Sequence, residues 1–403
     1  MIRGGDVANC LKWSREEARL YQLAAVGLHG KNYPHGEEGV RAAVRDLRAV
    51  QLDPLPILGR NHDLVIQARV DGTHPGEFLD LLHRERLGFE YWDKVLCAIP
   101  VEEFPRFRAL MAAGGDRWEQ RREERLRRDH PGSIEAVYQA VRENGPLSTA
   151  ELRALEVAQG EHRGWKTTQA AGAALEVLWN RGWLSVSHRA NYRRYFDLTE
   201  RVIPKELLTC PLPTWEEFQA YLLRKRVEMV GLLPANGDAE AWAFLREVRT
   251  NGQAQRLVEE GNLTLVQVER VRAPFYAPPD AAARLAAAER APLSDRARFL
   301  APLDPLLWCR SALEKLWGFE YAWEVYKKPA HRRYGYYVLP VLHQGRFVAR
   351  FDGRYDAKAK VLHVLGYWEE LDGLPLKHPA IQDAFRRFLS YLGGEKIAWP
   401  GQR

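Results

Sequence analysis

Gln51 and Asp53 are two side chains whose types and spacing could do chemistry. They follow a segment, residues 40–47, in which apolar side chains recur every three or four positions, as in a helix that buries one face. If residues 51–53 form a short strand, alternate side chains point the same way, so the amide and the carboxylate project together. A carboxylate held beside an amide can orient a water molecule and accept its proton.

The residues that follow this pair predict a turn and a second strand. Two prolines and a glycine within residues 54–59 exclude a continuing helix and mark a tight turn. The apolar run at residues 64–66 is typical of a strand. Helix, short strand, wing and strand are the plan of a winged helix, and Arg60, Asn61 and His62 would then lie near the tip of the wing.

The Gln-x-Asp element followed by Arg-Asn-His resembles the tandem winged-helix DNA glycosylases of the AlkZ/YcaQ superfamily. With Asp at position 53, the motif resembles the Gln-x-Asp form of the YcaQ-like branch. The antibiotic self-resistance branch has Gln-x-Gln instead. The likeness continues in the expected order at residues 164–166, 174–179, 195–202, 303–306 and 333–340. It therefore covers most of the chain.

The resemblance implies a monofunctional DNA glycosylase that removes N7-alkylated purines, unhooks DNA interstrand crosslinks and leaves abasic sites. Asp53 would be the general base and electrostatic stabiliser, and Gln51 would orient the water. A crosslinked purine stays tethered to the opposite strand, so we expect an open cleft rather than a closed base pocket. From the spacing alone, an alternative stays open in which Asp53 caps the turn before Pro54 and Gln51 only bonds backbone.

Charge and residue choice favour double-stranded DNA as the partner. The net charge is +6, the pI is near 9.0, and 46 Arg accompany 13 Lys. Arginine forms bidentate pairs with phosphate, although a GC-rich genome would also raise its count. The basic stretch from 327 to 333 could bind phosphate, or it could be a solvated loop without a DNA contact. The expected DNA contacts are Arg60, Asn61, His62, Lys166, Arg193, Arg194, Lys327, Lys328, Arg332, Arg333 and Tyr334.

Neither a metal nor a cofactor is expected. Cys10, Cys97, Cys210 and Cys309 lack metal-ligand spacing, and the histidines form no paired-ligand pattern. Glycine-rich phosphate loops are absent from the sequence, which argues against nucleotide use. The sequence shows neither a signal region nor an apolar stretch of membrane-spanning length. We expect a cytoplasmic, nucleoid-associated monomer.

The predicted fold class is α+β. We expect three winged-helix domains in tandem, followed by a C-terminal antiparallel β-barrel-like domain. Capping boxes at 14–17, 148–151 and 214–217 predict helix starts, and hairpin signals appear at 343–345 and 352–353. The predicted domains are 1–75 (first winged helix), 76–131 (helical connector), 132–204 (second winged helix), 205–271 (third winged helix), 272–298 (linker) and 299–403 (barrel-like domain with a closing helix at 377–392).

Two other functions compete with the glycosylase hypothesis. The main rival is a non-enzymatic winged-helix transcription regulator, because tandem winged helices bind DNA without doing chemistry. The feature that distinguishes them is Asp53 on a strand beside the helix rather than on the recognition helix itself. A nuclease is the third possibility, but the sequence shows no carboxylate cluster for two metals.

Overall fold

The computed structural model describes residues 10–157 and 165–400, and for residues 165–169 it describes the backbone alone. The chain divides into two compact units: unit 1 comprises Met1–Phe78 and Leu222–Arg403, and unit 2 comprises Leu79–Tyr221. In the described part of the chain, no helix is both long and apolar enough to cross a membrane. The architecture is a mixed α+β fold.

Helices occur throughout both units. They are α1 (Arg15–Ala25), α2 (Glu37–Leu47), α3 (Asn61–Gln67), α4 (Glu77–Arg84), α5 (Phe104–Ala113), α6 (Arg117–Asp129), α7 (Ser133–Asn144), α8 (Thr149–Ala154), α9 (Trp165–Asn180), α10 (Thr199–Val202), α11 (Lys205–Leu208), α12 (Trp215–Val230), α13 (Arg246–Thr250), α14 (Gln253–Glu259), α15 (Ala281–Arg290), α16 (Arg310–Trp317) and α17 (Pro379–Tyr391).

The strands are mostly short. They are β1 (Cys10–Trp13), β2 (Val50–Gln51), β3 (Gly88–Trp92), β4 (Leu96–Pro100), β5 (Leu184–Ala190), β6 (Arg193–Leu198), β7 (Leu233–Pro234), β8 (Thr264–Val268), β9 (Phe275–Ala277), β10 (Arg298–Phe299), β11 (Leu339–His343), β12 (Arg346–Asp356), β13 (Val361–Glu369) and β14 (Lys396–Ala398).

Three predicted capping boxes are confirmed. The Ser14 hydroxyl accepts from the Glu17 N–H while the Glu17 carboxylate accepts from the Ser14 N–H, so α1 begins where predicted. The same reciprocal bonds join Thr214 and Glu217 at the start of α12. The third box, at the start of α8, is formed by the residues at 148 and 151. These signals are local, because each needs only residues three apart.

The prediction for residues 64–66 is wrong. They belong to α3, which begins at Asn61 directly after Arg60, whose backbone is extended. All six residues from Asn61 to Ile66 are buried, so the apolar run has no exposed face. A short, fully buried run has the same hydropathy in a strand and in a helix, which is why the sequence pattern could not distinguish them.

Unit 1 contains a four-stranded sheet in the order β1-β8-β9-β7. Strand β1 runs parallel to β8, while β9 is antiparallel to both β8 and β7. Residues 272–298 are therefore not a linker, because they supply β9 to this sheet. They also supply α15, whose Ala288 carbonyl lies 2.8 Å from His29 Nε2. Whether residues 205–271 form a third winged helix stays a prediction.

The C-terminal part of unit 1 is a five-stranded sheet in the order β10-β11-β12-β13-β14. The first four strands are antiparallel, and β14 joins parallel to β13. The hairpin predicted at 343–345 joins β11 to β12, and the closing helix predicted at 377–392 is α17. The turn predicted at Asp352 and Gly353 is wrong, because these residues form a bulge inside β12. Closure into a barrel stays a prediction.

Unit 2 contains α7, α8 and α9 followed by an antiparallel hairpin of β5 and β6. An isolated bridge joins Leu147 to Phe196. Gly182, after the end of α9, has φ of 69°, a left-handed conformation that favours glycine. This order of elements is the one expected for residues 132–204, and their assignment as a winged helix stays a prediction. The aromatic patch at 89–94 packs in the core, with Phe89 and Tyr91 buried.

Candidate active site

Gln51 and Asp53 lie together in one pocket of unit 1, with a volume of about 550 Å³. We call it the Gln51–Asp53 pocket. Its wall is formed by Gln51, Asp53, Asp238, Ala239, Glu240, Leu303, Trp308, Arg310, Trp323 and Tyr326. Tyr326 is 83% exposed, so the pocket opens to solvent along this side. An open site agrees with what a tethered, crosslinked purine would need.

The backbone at Gln51 is fixed by the side chain of Asn61. The Asn61 amide Nδ2 donates to the Gln51 carbonyl over 2.9 Å, and its Oδ1 accepts from the Leu303 N–H over 2.9 Å. Asn61 thus joins β2 to the loop that carries Leu303, another residue of the pocket wall. The Gln51 Oε1 atom is turned inward and finds no donor among the described residues.

The strand expected at residues 51–53 ends at Gln51, so Asp53 lies just beyond it. Asp53 makes a turn contact and also faces the pocket. Its Oδ1 accepts from the Leu55 N–H over 3.0 Å, which closes a turn after β2. The half-buried side chain also lines the pocket. Burial raises the pKa of Asp53 above its ordinary value, and the Leu55 N–H partly opposes this rise. A raised pKa makes the carboxylate a stronger base.

The opposite part of the wall carries charge that the sequence analysis did not identify. Asp238 accepts from the N–H of Ser311 over 2.9 Å, and Glu240 lies two residues further along. Arg310 donates to the Pro302 carbonyl over 3.0 Å, and burial lowers the pKa of its guanidinium. With Asp53, the wall has three carboxylates and one guanidinium. Such a wall favours a cationic ligand.

The structure separates the predicted DNA contacts at 60–62. Arg60 is half-buried, but Asn61 and His62 are both 0% exposed. The expectation that Asn61 and His62 lie at an exposed wing tip is wrong, because the segment folds as the first turn of α3 and points inward. Asn61 acts through the Gln51 backbone, and the ring of His62 packs 5.9 Å from that of Phe78.

The two DNA contacts predicted in the hairpin of unit 2 lie in different surroundings. Arg193 is exposed at the start of β6. Arg194 is half-buried, pairs with the Glu176 carboxylate and lies over the Trp179 ring at 5.2 Å. The side chain of Lys166 falls outside the described residues.

The basic stretch before β11 is in unit 1 and adjoins the pocket in sequence. Lys327, Lys328 and Arg333 are exposed, while Arg332 and Tyr334 are half-buried. Arg333 lies over the Tyr334 ring at 4.9 Å. Among the described residues, no group of three potential ligands could hold a metal ion.

Two comparisons relate this chain to known proteins. The family model of AlkZ-like DNA glycosylases matches residues 44–391. The solved structure of the DNA glycosylase AlkZ from Streptomyces sahachiroi is similar to this chain with a TM-score of 0.63 and 17% sequence identity. The alignment covers 96% of this chain and 99% of that one, which establishes a shared fold. On the family match, this chain belongs to the AlkZ-like DNA glycosylases and is a DNA glycosylase.

Proposed function

We propose that this enzyme hydrolyses the N-glycosidic bond of N7-alkylated purines in double-stranded DNA and unhooks interstrand crosslinks, leaving abasic sites. The observation that carries the proposal is the pairing of Gln51 with Asp53 in an open pocket whose wall carries three carboxylates and one guanidinium. The enzyme is monofunctional: water attacks the sugar, and no lysine serves as a nucleophile.

Asp53 supplies the chemistry at the sugar. As the base leaves, C1′ develops positive charge, which an adjacent carboxylate stabilises. The Leu55 N–H occupies Oδ1, so Oδ2 accepts the proton of the attacking water. Gln51 holds that water by donating from Nε2, because its Oε1 is turned inward. The raised pKa of Asp53 suits this task at neutral pH.

The charge of the wall supports the choice of substrate. A purine alkylated at N7 carries a positive charge and leaves as a neutral base, so it needs little acid assistance. Asp53, Asp238 and Glu240 attract such a base, and they attract an uncharged purine less. A crosslinked purine can enter because the pocket opens to solvent beside Tyr326.

The surrounding cations bind the DNA backbone in this proposal. The exposed residues Lys327, Lys328 and Arg333 are best placed, since they follow Tyr326 of the pocket wall in sequence. Further proposed contacts are Arg60, Lys166, Arg193, Arg194, Arg332 and Tyr334. The enzyme works as a monomer in the cytoplasm at the nucleoid.

The test is excision of 7-methylguanine from a duplex, detected as strand breaks after alkali. The wild-type enzyme should produce breaks, and Asp53→Asn should slow single-turnover excision by roughly 10²–10⁴-fold. Asp372→Asn is the matched control, because it makes the same change at an exposed aspartate of unit 1 and should keep full activity. A wild-type enzyme that binds the duplex but releases no 7-methylguanine would contradict the proposal.

A further inference from the structure

Tyr326 is an exposed aromatic side chain in the wall of the Gln51–Asp53 pocket, with 83% of its surface open to solvent. Its ring meets that of Trp323 at an interplanar angle of 77° and a centroid distance of 5.8 Å. Trp323 is half-buried and packs against the hydrophobic core of unit 1. Trp323 therefore supports the Tyr326 ring on one side, and no residue of the described structure covers the outer face of that ring.

A buried carboxylate holds the turn that carries Tyr326. Glu324 is 4% exposed, and its oxygens accept from the N–H groups of Arg333 and Tyr334, each over 2.9 Å. The Lys327 ammonium donates to the same carboxylate over 2.8 Å. These bonds keep the pKa of Glu324 near 2, so the clamp stays charged at neutral pH. Tyr326 is thereby presented from a rigid turn rather than a loose loop.

The same turn is strongly cationic. From residue 324 to residue 336, Glu324 is the only acidic residue in the sequence, while Lys327, Lys328, Arg332 and Arg333 are basic. A rigid exposed ring surrounded by cations fits a ligand that offers flat faces and negative charge together. Nucleic acid has both, since its bases stack on aromatic rings and its phosphates pair with lysine and arginine.

We propose that Tyr326 stacks on a nucleobase of the bound duplex next to the damaged nucleotide, and so holds the strand open at the pocket. The inference rests on the proposed function, because the damaged nucleotide defines where the neighbouring base lies. The four cations of the turn hold the flanking phosphates. Tyr326 is thus a DNA-binding residue of the pocket rim, and Glu324 is a positioning residue that acts through the turn.

The experiment measures binding and base stacking in the Asp53→Asn background, so that the substrate is not consumed. The duplex carries 7-methylguanine with 2-aminopurine as its neighbour, on the 5′ side in one duplex and on the 3′ side in a second. Binding is followed by anisotropy of an end label, and stacking by 2-aminopurine fluorescence. The variants are Tyr326→Phe, which keeps the ring, and Tyr326→Ala, which removes it.

Loss of one stacked base should weaken binding of Tyr326→Ala by roughly 5- to 150-fold, whereas Tyr326→Phe should bind within about twofold of the parent. The fluorescence change on binding should persist in Tyr326→Phe and disappear in Tyr326→Ala. Leu371→Ala is the control for loss of an exposed apolar side chain, since Leu371 is 91% exposed in unit 1 and lies outside the pocket wall. It should leave both signals unchanged.

Equal binding and equal fluorescence changes in Tyr326→Ala and its parent would overturn the inference. That result is distinguishable from failure of the proposed function, which is read separately as release of 7-methylguanine by the wild-type enzyme. The inference would also be overturned if Tyr326→Phe weakened binding as much as Tyr326→Ala does, because the hydroxyl rather than the ring would then be responsible.

Discussion

The amide of Asn61 donates to the backbone carbonyl of Gln51, and through this bond the first turn of α3 holds the end of β2 beside Asp53. Asn61→Ala leaves the Gln51 carbonyl and the Leu303 N–H without their partner. We expect the free energy of unfolding to fall by about 1–3 kcal/mol, as for buried polar groups left unsatisfied, with slower excision of 7-methylguanine. Chemical denaturation measures the first effect. Asn32→Ala, at an exposed asparagine, should show neither.

The rate of excision should depend on pH through Asp53. Burial raises the pKa of this group above the ordinary value of 3.8. The proposed reaction needs the deprotonated form. The rate should therefore fall as the pH decreases, with a midpoint above 3.8 rather than at it. Single-turnover rates across the acid range check this. A midpoint at or below the ordinary value would show that Asp53 is not the base.

Asp63 should make folding stability decrease as the pH rises. Burial raises its pKa from 3.8 to about 7, so between these values the folded state retains a proton that the unfolded chain releases. The loss of folding stability is absent below pH 3.8 and complete above about pH 7. Asp63→Asn removes it, so the variant should gain on the order of 4 kcal/mol relative to wild type between about pH 4 and pH 8. Parallel pH–stability curves for the two proteins would contradict this.

The buried ion pair of Arg69 with Asp304 should be costly to break. The guanidinium donates to both carboxylate oxygens, over 2.7 and 3.0 Å, and both side chains are 0% exposed. Asp304→Asn leaves a buried charge without its partner, and we expect a loss of about 3–5 kcal/mol in denaturant unfolding. The exposed pair of Arg284 with Asp280 is the comparison. Asp280→Asn should cost only about 0–1 kcal/mol.

The cations of the turn after Tyr326 should govern the salt dependence of DNA binding. If Lys328 and Arg333 each contact one phosphate, replacing either by Ala should reduce the slope of log K against log salt by about 0.9. Binding to undamaged and damaged duplexes should weaken equally, because phosphate carries no sequence information. Lys396→Ala, at an exposed lysine of β14, is the control. An unchanged slope would place the residue outside the DNA interface.

Local signals explain what could be predicted from the sequence. The capping box at Ser14 depends on residues three apart and is confirmed. Gln51 and Asp53, two apart, line one pocket, although β2 ends at Gln51. The mixed α+β class follows from the alternation of helical and strand patterns. The strand prediction at 64–66 was wrong because it depended on contacts that are not local. The burial of this segment on all sides is set by distant parts of the chain.

The rest of the pocket could not be read from the sequence. Asp238, Glu240 and Arg310 are separated from Asp53 by the whole of unit 2 in the sequence, and only the fold of unit 1 brings them into one wall. Neither acidic residue has a spacing that marks a site. Tyr326 had a weak local signal, because it follows Trp323 by one helical turn and directly precedes Lys327.

The segment that leads from Tyr326 to β11 is held at two points by buried carboxylates. Glu324 binds backbone N–H groups near its middle, and Asp352, in the β12 bulge, accepts from the N–H groups of Tyr336 and Tyr337, each over 3.1 Å. A Cβ on Gly335 would lie 2.0 Å from the Asp352 carboxylate, so this course requires glycine. A segment ordered in advance loses little chain entropy when it meets a ligand. A ligand that binds this segment therefore does not have to fold it first.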